Sequence, residues 1–241
     1  LIVSTAKGIE EDTYLRNSQI ISNNCNNPVA ILSGPTHAEE VINNLPTAAV
    51  VASKNKAAAK EIQELMMSAK FRVYTNPDII GVELGGAIKN IMAIAAGIAD
   101  GLSYGDNTKA ALVTRGLHEM SRLGVSMGGS LLTYAGLTGM GDLVVTCTSL
   151  HSRNRRLGIK IGQGYTLKQA QAQVKQTVEG IRTTKAIYKW YKEGDYSFDI
   201  PITKQIYQVL FEEKDPLKAV DDLMLRGAKH EIAEVVEALD W

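Results

Sequence analysis

The sequence is poor in several things, and each shortage excludes a class of protein. Cysteine occurs twice in 241 residues, at Cys25 and Cys147, far apart and without metal-ligand spacing. A disulfide framework and a zinc site of the usual cysteine patterns are therefore not expected, and the two thiols are read as free in a reducing cytoplasm. The four histidines (His37, His118, His151, His230) form no H-E-x-x-H or related cluster, so no protein-bound metal is expected. Neither charge sign is in excess: Lys+Arg and Asp+Glu are both 26, which argues against a nucleic-acid binder. No basic segment followed by an apolar stretch opens the chain, so no signal peptide is read. The longest apolar run, residues 79–99, is interrupted by Glu83, Lys89 and Asn90, each costly at mid-bilayer, and is not read as a membrane span. The opening "LIVSTAKGIE" has no methionine and starts on what reads as a buried strand, so an N-terminal piece is expected to be absent.

What is present is a globular composition, 45% hydrophobic and 22% charged, enough for one large domain or two modest ones. In the first quarter, short β-branched runs are bounded by turn residues: "LIVSTAKG", "PVAILSGP", "TAAVVAS" and "FRVYTN". These read as strands, with "NKAAAKEIQELMMSAK" helical between the last two. From Pro77 onward strand signals stop and helical patterns follow one another, at 79–100, 108–123, 141–147, 153–161, 179–192, 202–211, 216–225 and 229–239. The expected architecture is an α/β remnant of a sheet over residues 1–77, then a larger all-α domain over 78–241.

The sharpest chemical feature is "GGAIKNIMAIAAG", which sets Lys89 in a run of small apolar residues. Its neighbours at three and four positions are Gly85, Gly86, Met92 and Ala93, so backbone or a ligand can come close. Two readings stand. Lys89 snorkels to solvent, or it is desolvated, loses basicity and becomes a general acid for a carbonyl oxygen. Asn90 beside it could orient a ligand.

Three further segments carry chemistry. "STAKGIE" puts Lys7 just past a strand's carboxyl end, and "LSGPTHAEE" puts Gly34, Pro35 and Thr36 past another, with Pro35 suited to the first helical position and Glu39 to the first turn. Ligands of open α/β sheets bind at such ends, although an ordinary strand-to-loop turn fits as well. "HSRNRRLG" is a basic cluster in a neutral chain, with Ser152 as N-cap and Arg153 able to grip a phosphate; a solvated surface cluster is the other reading. "GLTGMGDLVVTCTS" places Asp142 after a Gly-rich turn, either as an N-cap or as a carboxylate that holds a catalytic lysine. Its "GMG" lacks the strand and third glycine of a dinucleotide fingerprint.

Taken in order, "STAKGIE", "SGPTHAEEV", "PTAAVVAS", "FRVYTNPDIIGVELGGAIKNIMAIAAGIADGL", "GDNTKAALVTRGLHEM", "GLTGMGDLVVTCTSLHSRNRRLG" and "VEGIRTTKA" resemble the bacterial NAD(P)-dependent glycerol-3-phosphate dehydrogenases over nearly the whole chain. The resemblance implies a Rossmann-type domain followed by an all-helical domain. It implies interconversion of dihydroxyacetone phosphate and sn-glycerol 3-phosphate with NADPH or NADH, in the cytoplasm, feeding glycerophospholipid synthesis, with a homodimer allowed by the apolar helices. By the same resemblance Lys89 is the catalytic lysine, Lys7 a second active-site lysine touching substrate and cofactor, and Asp142 part of the catalytic set. Gly34, Thr36, Asp142, Ser152, Arg153 and Asn154 match substrate contacts; Ala38, Arg153, Thr177 and Glu179 match cofactor contacts. The family's opening G-x-G-x-x-[GA] loop is not in this chain; the segment carrying it would be on the order of a hundred residues, a few βαβ units. The alternatives are a related 6-phosphogluconate or hydroxyacid dehydrogenase, and a non-catalytic fragment that binds the phosphorylated substrate.

Overall fold

The computed structural model of the chain describes residues 1–228 and 230–232. Each of the four apolar runs forms a strand: β1 (Ile2–Ser4), β2 (Val29–Ser33), β3 (Thr47–Ala52) and β4 (Phe71–Asn76). They lie side by side in sequence order in a four-stranded sheet. β1 pairs parallel to β2, and β3 parallel to β4, but β2 and β3 run antiparallel with Ser33 opposite Val50. The link from β2 to β3 holds one short helix, α2 (Ala38–Ile42), near the lower limit of chain for a crossover, and β3 starts at the end where β2 stopped.

Two helices flank the strands, α1 (Asn17–Asn24) and α3 (Lys56–Met66). The sequence reading missed α1, which is short and weakly amphipathic. It also set Pro35 at the first helical position. The helix instead begins at Ala38, with His37 in the N-cap position and Glu39 in the first turn, and Pro35 lies in the preceding loop.

The remainder is helical: α4 (Ile79–Gly101), α5 (Asp106–Ser126), α6 (Leu131–Tyr134), a π-turn (Leu137–Gly141) running into α7 (Asp142–Thr148), α8 (Arg153–Gly162), α9 (Leu167–Val174), α10 (Glu179–Glu193), α11 (Pro201–Phe211) and α12 (Pro216–Met224). The expected helix at 229–239 lies outside the described residues, and α9 was not expected. Asp78 caps α4 by accepting the Gly81 N–H, and its other oxygen accepts from Ser130 and Thr133, tying α6 to the start of α4.

α4 is the axis of the molecule. Nearly every residue from Ile79 to Ala99 is buried, and α5, α7, α8, α10 and α11 pack around it. Among the described residues it is one helix long and apolar enough to cross a membrane, but other helices wrap it as a core helix. Its glycines set how closely the neighbours approach. A Cβ at Gly97 would collide with the Arg155 carbonyl oxygen and come within 2.9 Å of the Gly158 Cα. One at Gly158 would collide with the Ile94 carbonyl oxygen. Gly101 and Gly162 repeat the contact one turn on, so α4 and α8 touch backbone to backbone. Asp100 locks the arrangement: Arg155 Nε donates to its Oδ2 at 2.7 Å, and Lys109 of α5 lies 2.7 Å from its Oδ1.

Candidate active site

Lys89 falls mid-way along α4, where the helix passes the carboxyl ends of β1 and β2. It does not snorkel; the residue is 4% exposed. Its ammonium donates to Asp142 Oδ1 and, at 2.7 Å, to Thr146 Oγ1. Burial pushes it down from the ordinary 10.5 to about 8, with the charge of Lys7 adding to the effect and Asp142 opposing it.

Asp142 arrives through a second glycine contact. A Cβ at Gly85 would sit 2.6 Å from the Thr138 carbonyl oxygen, so only glycine lets the π-turn lie against α4. Asp142 then opens α7 with its carboxylate turned inward, 1% exposed. Gly141, not Asp142, holds the N-cap position, and the Asp142 side chain accepts from two lysines. Thr146, one turn further along α7, donates to the Asp142 carbonyl at 2.5 Å and accepts from Lys89. The sequence reading passed over Thr146; its spacing of four from Asp142 on one helix face was the available signal.

Lys7 comes from the loop after β1. Its ammonium donates to Asp142 Oδ2 at 2.7 Å and to the Gly34 carbonyl at 2.9 Å. Gly34 follows β2 with φ of +130°, a conformation glycine adopts without cost, and Thr36 Oγ1 donates to the same carbonyl at 3.3 Å. Lys7, Gly34, Thr36, Lys89 and Asp142 are thus one hydrogen-bonded cluster. Two ammonium groups against one carboxylate leave it with net positive charge, suited to an anionic ligand.

The basic segment sits at the start of α8. Ser152 is the expected N-cap: its hydroxyl accepts the Arg155 N–H at 3.2 Å. Arg155 is buried and paired with Asp100 rather than solvated, and Arg156 Nη2 donates to Gln176 Oε1 at 3.0 Å. Arg153 keeps its guanidinium at the surface, side chain 40% exposed, 4.0 Å from Glu179 Oε2. Asn154 is buried; its amide donates to Asn90 Oδ1 at 2.9 Å and its carbonyl accepts the Gly180 N–H at 2.9 Å. That chain of amides joins the residue beside Lys89 to the start of α10, where Glu179 and the exposed Thr177 lie. Ala38 is exposed at the start of α2.

Two family models match this chain. The NAD-dependent glycerol-3-phosphate dehydrogenase C-terminus matches residues 78–221, and the corresponding N-terminus matches residues 1–59. The chain belongs to the NAD-dependent glycerol-3-phosphate dehydrogenase family. It is 68% identical over 241 residues to the glycerol-3-phosphate dehydrogenase (NAD(P)+) of Halothermothrix orenii, covering 100% of this chain and 71% of that protein. It is 54% identical to the enzyme of the same name from Pelotomaculum thermopropionicum, covering 99% of this chain and 69% of that one. The crystal structure of glycerol-3-phosphate dehydrogenase from Coxiella burnetii superposes with a TM-score of 0.88 at 43% identity, over 93% of this chain and 68% of that chain. Both family models name this dehydrogenase rather than the 6-phosphogluconate type that was the alternative. Its Rossmann-type fold, helical second domain and nicotinamide cofactor, NAD or NADP, come with the family.

Proposed function

We propose that this chain carries the substrate site of an oxidoreductase that interconverts dihydroxyacetone phosphate and sn-glycerol 3-phosphate with NAD(P)H. The observation that carries the reading is Lys89: a buried ammonium near its neutralisation point, held by Asp142 and Thr146.

In ketone reduction Lys89 hydrogen-bonds the substrate's carbonyl oxygen and gives up a proton as that oxygen gains negative charge; in alcohol oxidation the free amine takes the proton back. Asp142 fixes the position of both lysines and keeps the protonated form accessible. Lys7 places a second positive charge beside the developing alkoxide. Arg153, half-exposed at the start of α8, grips the substrate phosphate, with the Ser152–Asn154 turn setting its direction. The chemistry NAD(P)H supplies when bound is a hydride to the carbonyl carbon.

The residues at the rim suit that cofactor. The guanidinium of Arg153 reaches solvent 4.0 Å from Glu179, and Thr177 and Ala38 are exposed as well, polar and open positions that a charged nucleotide can reach. Lys7, Ala38, Arg153, Thr177 and Glu179 would hold it, together with a glycine-rich loop that this sequence does not contain. We place the division of labour at 77/78, the α/β part bearing Lys7, Gly34 and Thr36, and the helical part the rest. Three finer statements belong to the same proposal: the product feeds glycerophospholipid synthesis, the protein works in the cytoplasm, and it pairs as a homodimer. Two free thiols support the compartment, and exposed Leu131, Leu132 and Leu150 support pairing.

The test is NADPH and NADH oxidation with dihydroxyacetone phosphate. It uses this chain and a chimera that sets the preceding residues of the Halothermothrix orenii relative ahead of Leu1. Turnover in the chimera with dihydroxyacetone phosphate, and none with 6-phosphogluconate, is expected. A folded chimera that is silent with both cofactors leaves the phosphate-binding fragment as the reading.

A further inference from the structure

Between the end of β2 and the start of α2 lie two buried polar atoms that no group among the described residues satisfies, Ser33 Oγ and His37 Nε2. Buried polar atoms are nearly always paired, and an exception calls for a reason. Ser33 is 2% exposed at the end of β2. A Cβ on Gly86 would lie 2.9 Å from its hydroxyl and 3.4 Å from the Lys7 Cγ, so Ser33 faces α4 one turn from Lys89. His37 occupies the N-cap position of α2 yet makes no capping bond. Its ring lies 6.1 Å from that of His151, beside the Ser152–Arg153 segment, and is close enough to Lys89, Asp142, Lys7 and Glu39 to feel their charges. Two such groups thus face the same lysine–aspartate cluster.

The chemistry of the pair selects a ligand group. Burial, and then the charge of Lys89, holds the His37 imidazole below its ordinary range, so it is neutral near pH 7. A neutral imidazole has one N–H and one lone pair, and a serine hydroxyl both donates and accepts. The phosphate's charge is met at Arg153, which leaves this uncharged pair for a neutral group of the same ligand. Both suit an alcohol. We propose that Ser33 Oγ and His37 Nε2 form a hydroxyl-reading subsite that hydrogen-bonds the terminal, non-reacting hydroxyl of the three-carbon phosphate substrate. The assignment rests on the proposed function, because the substrate's carbon frame comes from it.

The experiment compares two ligands on this chain by calorimetric titration. One is sn-glycerol 3-phosphate; the other is propane-1,2-diol 1-phosphate, which keeps the phosphate and the reacting hydroxyl but lacks the terminal one. The wild-type chain is expected to prefer the first by ~10-fold, the scale of one net hydrogen bond. His37→Phe should bring the ratio close to one by weakening glycerol 3-phosphate alone, His37→Gln should restore part of it, and Ser33→Ala should lose part of it. If His37→Phe does not fold, judged by its thermal melt, Ser33→Ala and His37→Gln still decide. A wild-type ratio near one, or a ratio that none of the folded variants moves, overturns the subsite. Arg153→Ala separates the two layers, since it should weaken both ligands alike. A chain that binds neither ligand, or binds both regardless of Arg153, overturns the site reading itself and the hydroxyl assignment with it.

Discussion

Lys7 and Lys89 reach the two oxygens of one carboxylate from different parts of the chain: Lys7 from the loop after β1 to Asp142 Oδ2 at 2.7 Å, Lys89 from the middle of α4 to Oδ1. The α/β part and the helical part therefore meet at a charged joint. It is also where a carbonyl oxygen would be protonated. Lys89→Met keeps the volume and removes the proton. Turnover of dihydroxyacetone phosphate by the chimera should fall at least ~10²-fold, the ordinary scale for a general acid. Circular dichroism should show the fold intact, because Lys7 still pairs Asp142. A loss under tenfold would take Lys89 out of the chemistry.

The pH dependence follows from the position of Lys89 near 8. Reduction needs the ammonium, so its rate should be flat below about 8 and fall above it; oxidation needs the free amine and should rise through the same point. Asp142→Asn removes the charge that opposes the lowering. The falling limb of reduction should then move to lower pH, alongside a general loss of rate. Profiles of kcat/KM against pH for both directions and both proteins check the sign, and a limb that moves upward in the variant contradicts the assignment.

Much of this site could be read from the chain alone because its decisive residues sit in unusual local company. A lysine among glycines and alanines announces itself, and four β-branched runs punctuated by turn residues became four strands. Asp142 was less readable. Its two roles, cap or lysine holder, differ only in what lies 53 residues away on α4 and 135 residues away after β1. Strand direction was hidden for a similar reason. Alternation of residues says nothing about whether β3 runs with or against β2, and the link between them is of a length that permits either; the pairing of Ser33 with Val50 decides it. Ser33 and His37 had no local signature, since what distinguishes them is that Ser33 Oγ and His37 Nε2 are buried without a partner among the described residues.

Gly97 tests whether the site depends on helix contact. The Arg155 carbonyl is backbone and cannot swing away, so Gly97→Val must push α8 off α4. Overpacking of this kind costs ~1–3 kcal/mol, with the upper end expected where backbone is struck. Urea unfolding should show that loss. Calorimetry should show weaker glycerol 3-phosphate binding as well, because Arg153 and Asn154 ride on α8.

The two thiols should separate cleanly. Cys147 is fully buried on α7, and burial pushes its thiol up to about 12, whereas Cys25 is half-buried at the end of α1. Reactivity follows the thiolate and its access. Native-state alkylation at pH 8 followed by mass spectrometry should label Cys25 alone, with Cys147 labelled only after denaturation. Early labelling of Cys147 would mean that α7, and Asp142 with it, opens readily.

Asp100 offers a way to disturb the phosphate grip without touching it. Its carboxylate takes Arg155 Nε at 2.7 Å and Lys109 at 2.7 Å, with side chains between 11% and 23% exposed. Asp100→Asn leaves two cations without a counter-charge. A fully buried pair broken on one side loses about 3–5 kcal/mol, and the partial exposure here reduces the expectation to ~1–3 kcal/mol. Arg155 is two residues beyond Arg153 on the same helix, so its release should loosen the start of α8. The stability loss should therefore come with a several-fold weaker affinity for glycerol 3-phosphate. The site around Lys89 should keep its pH limb near 8, since burial, Asp142 and Lys7 set it. A variant that loses stability yet binds the phosphate ligand as tightly as before would show that Arg153 is placed by its own turn and not by the anchoring of α8.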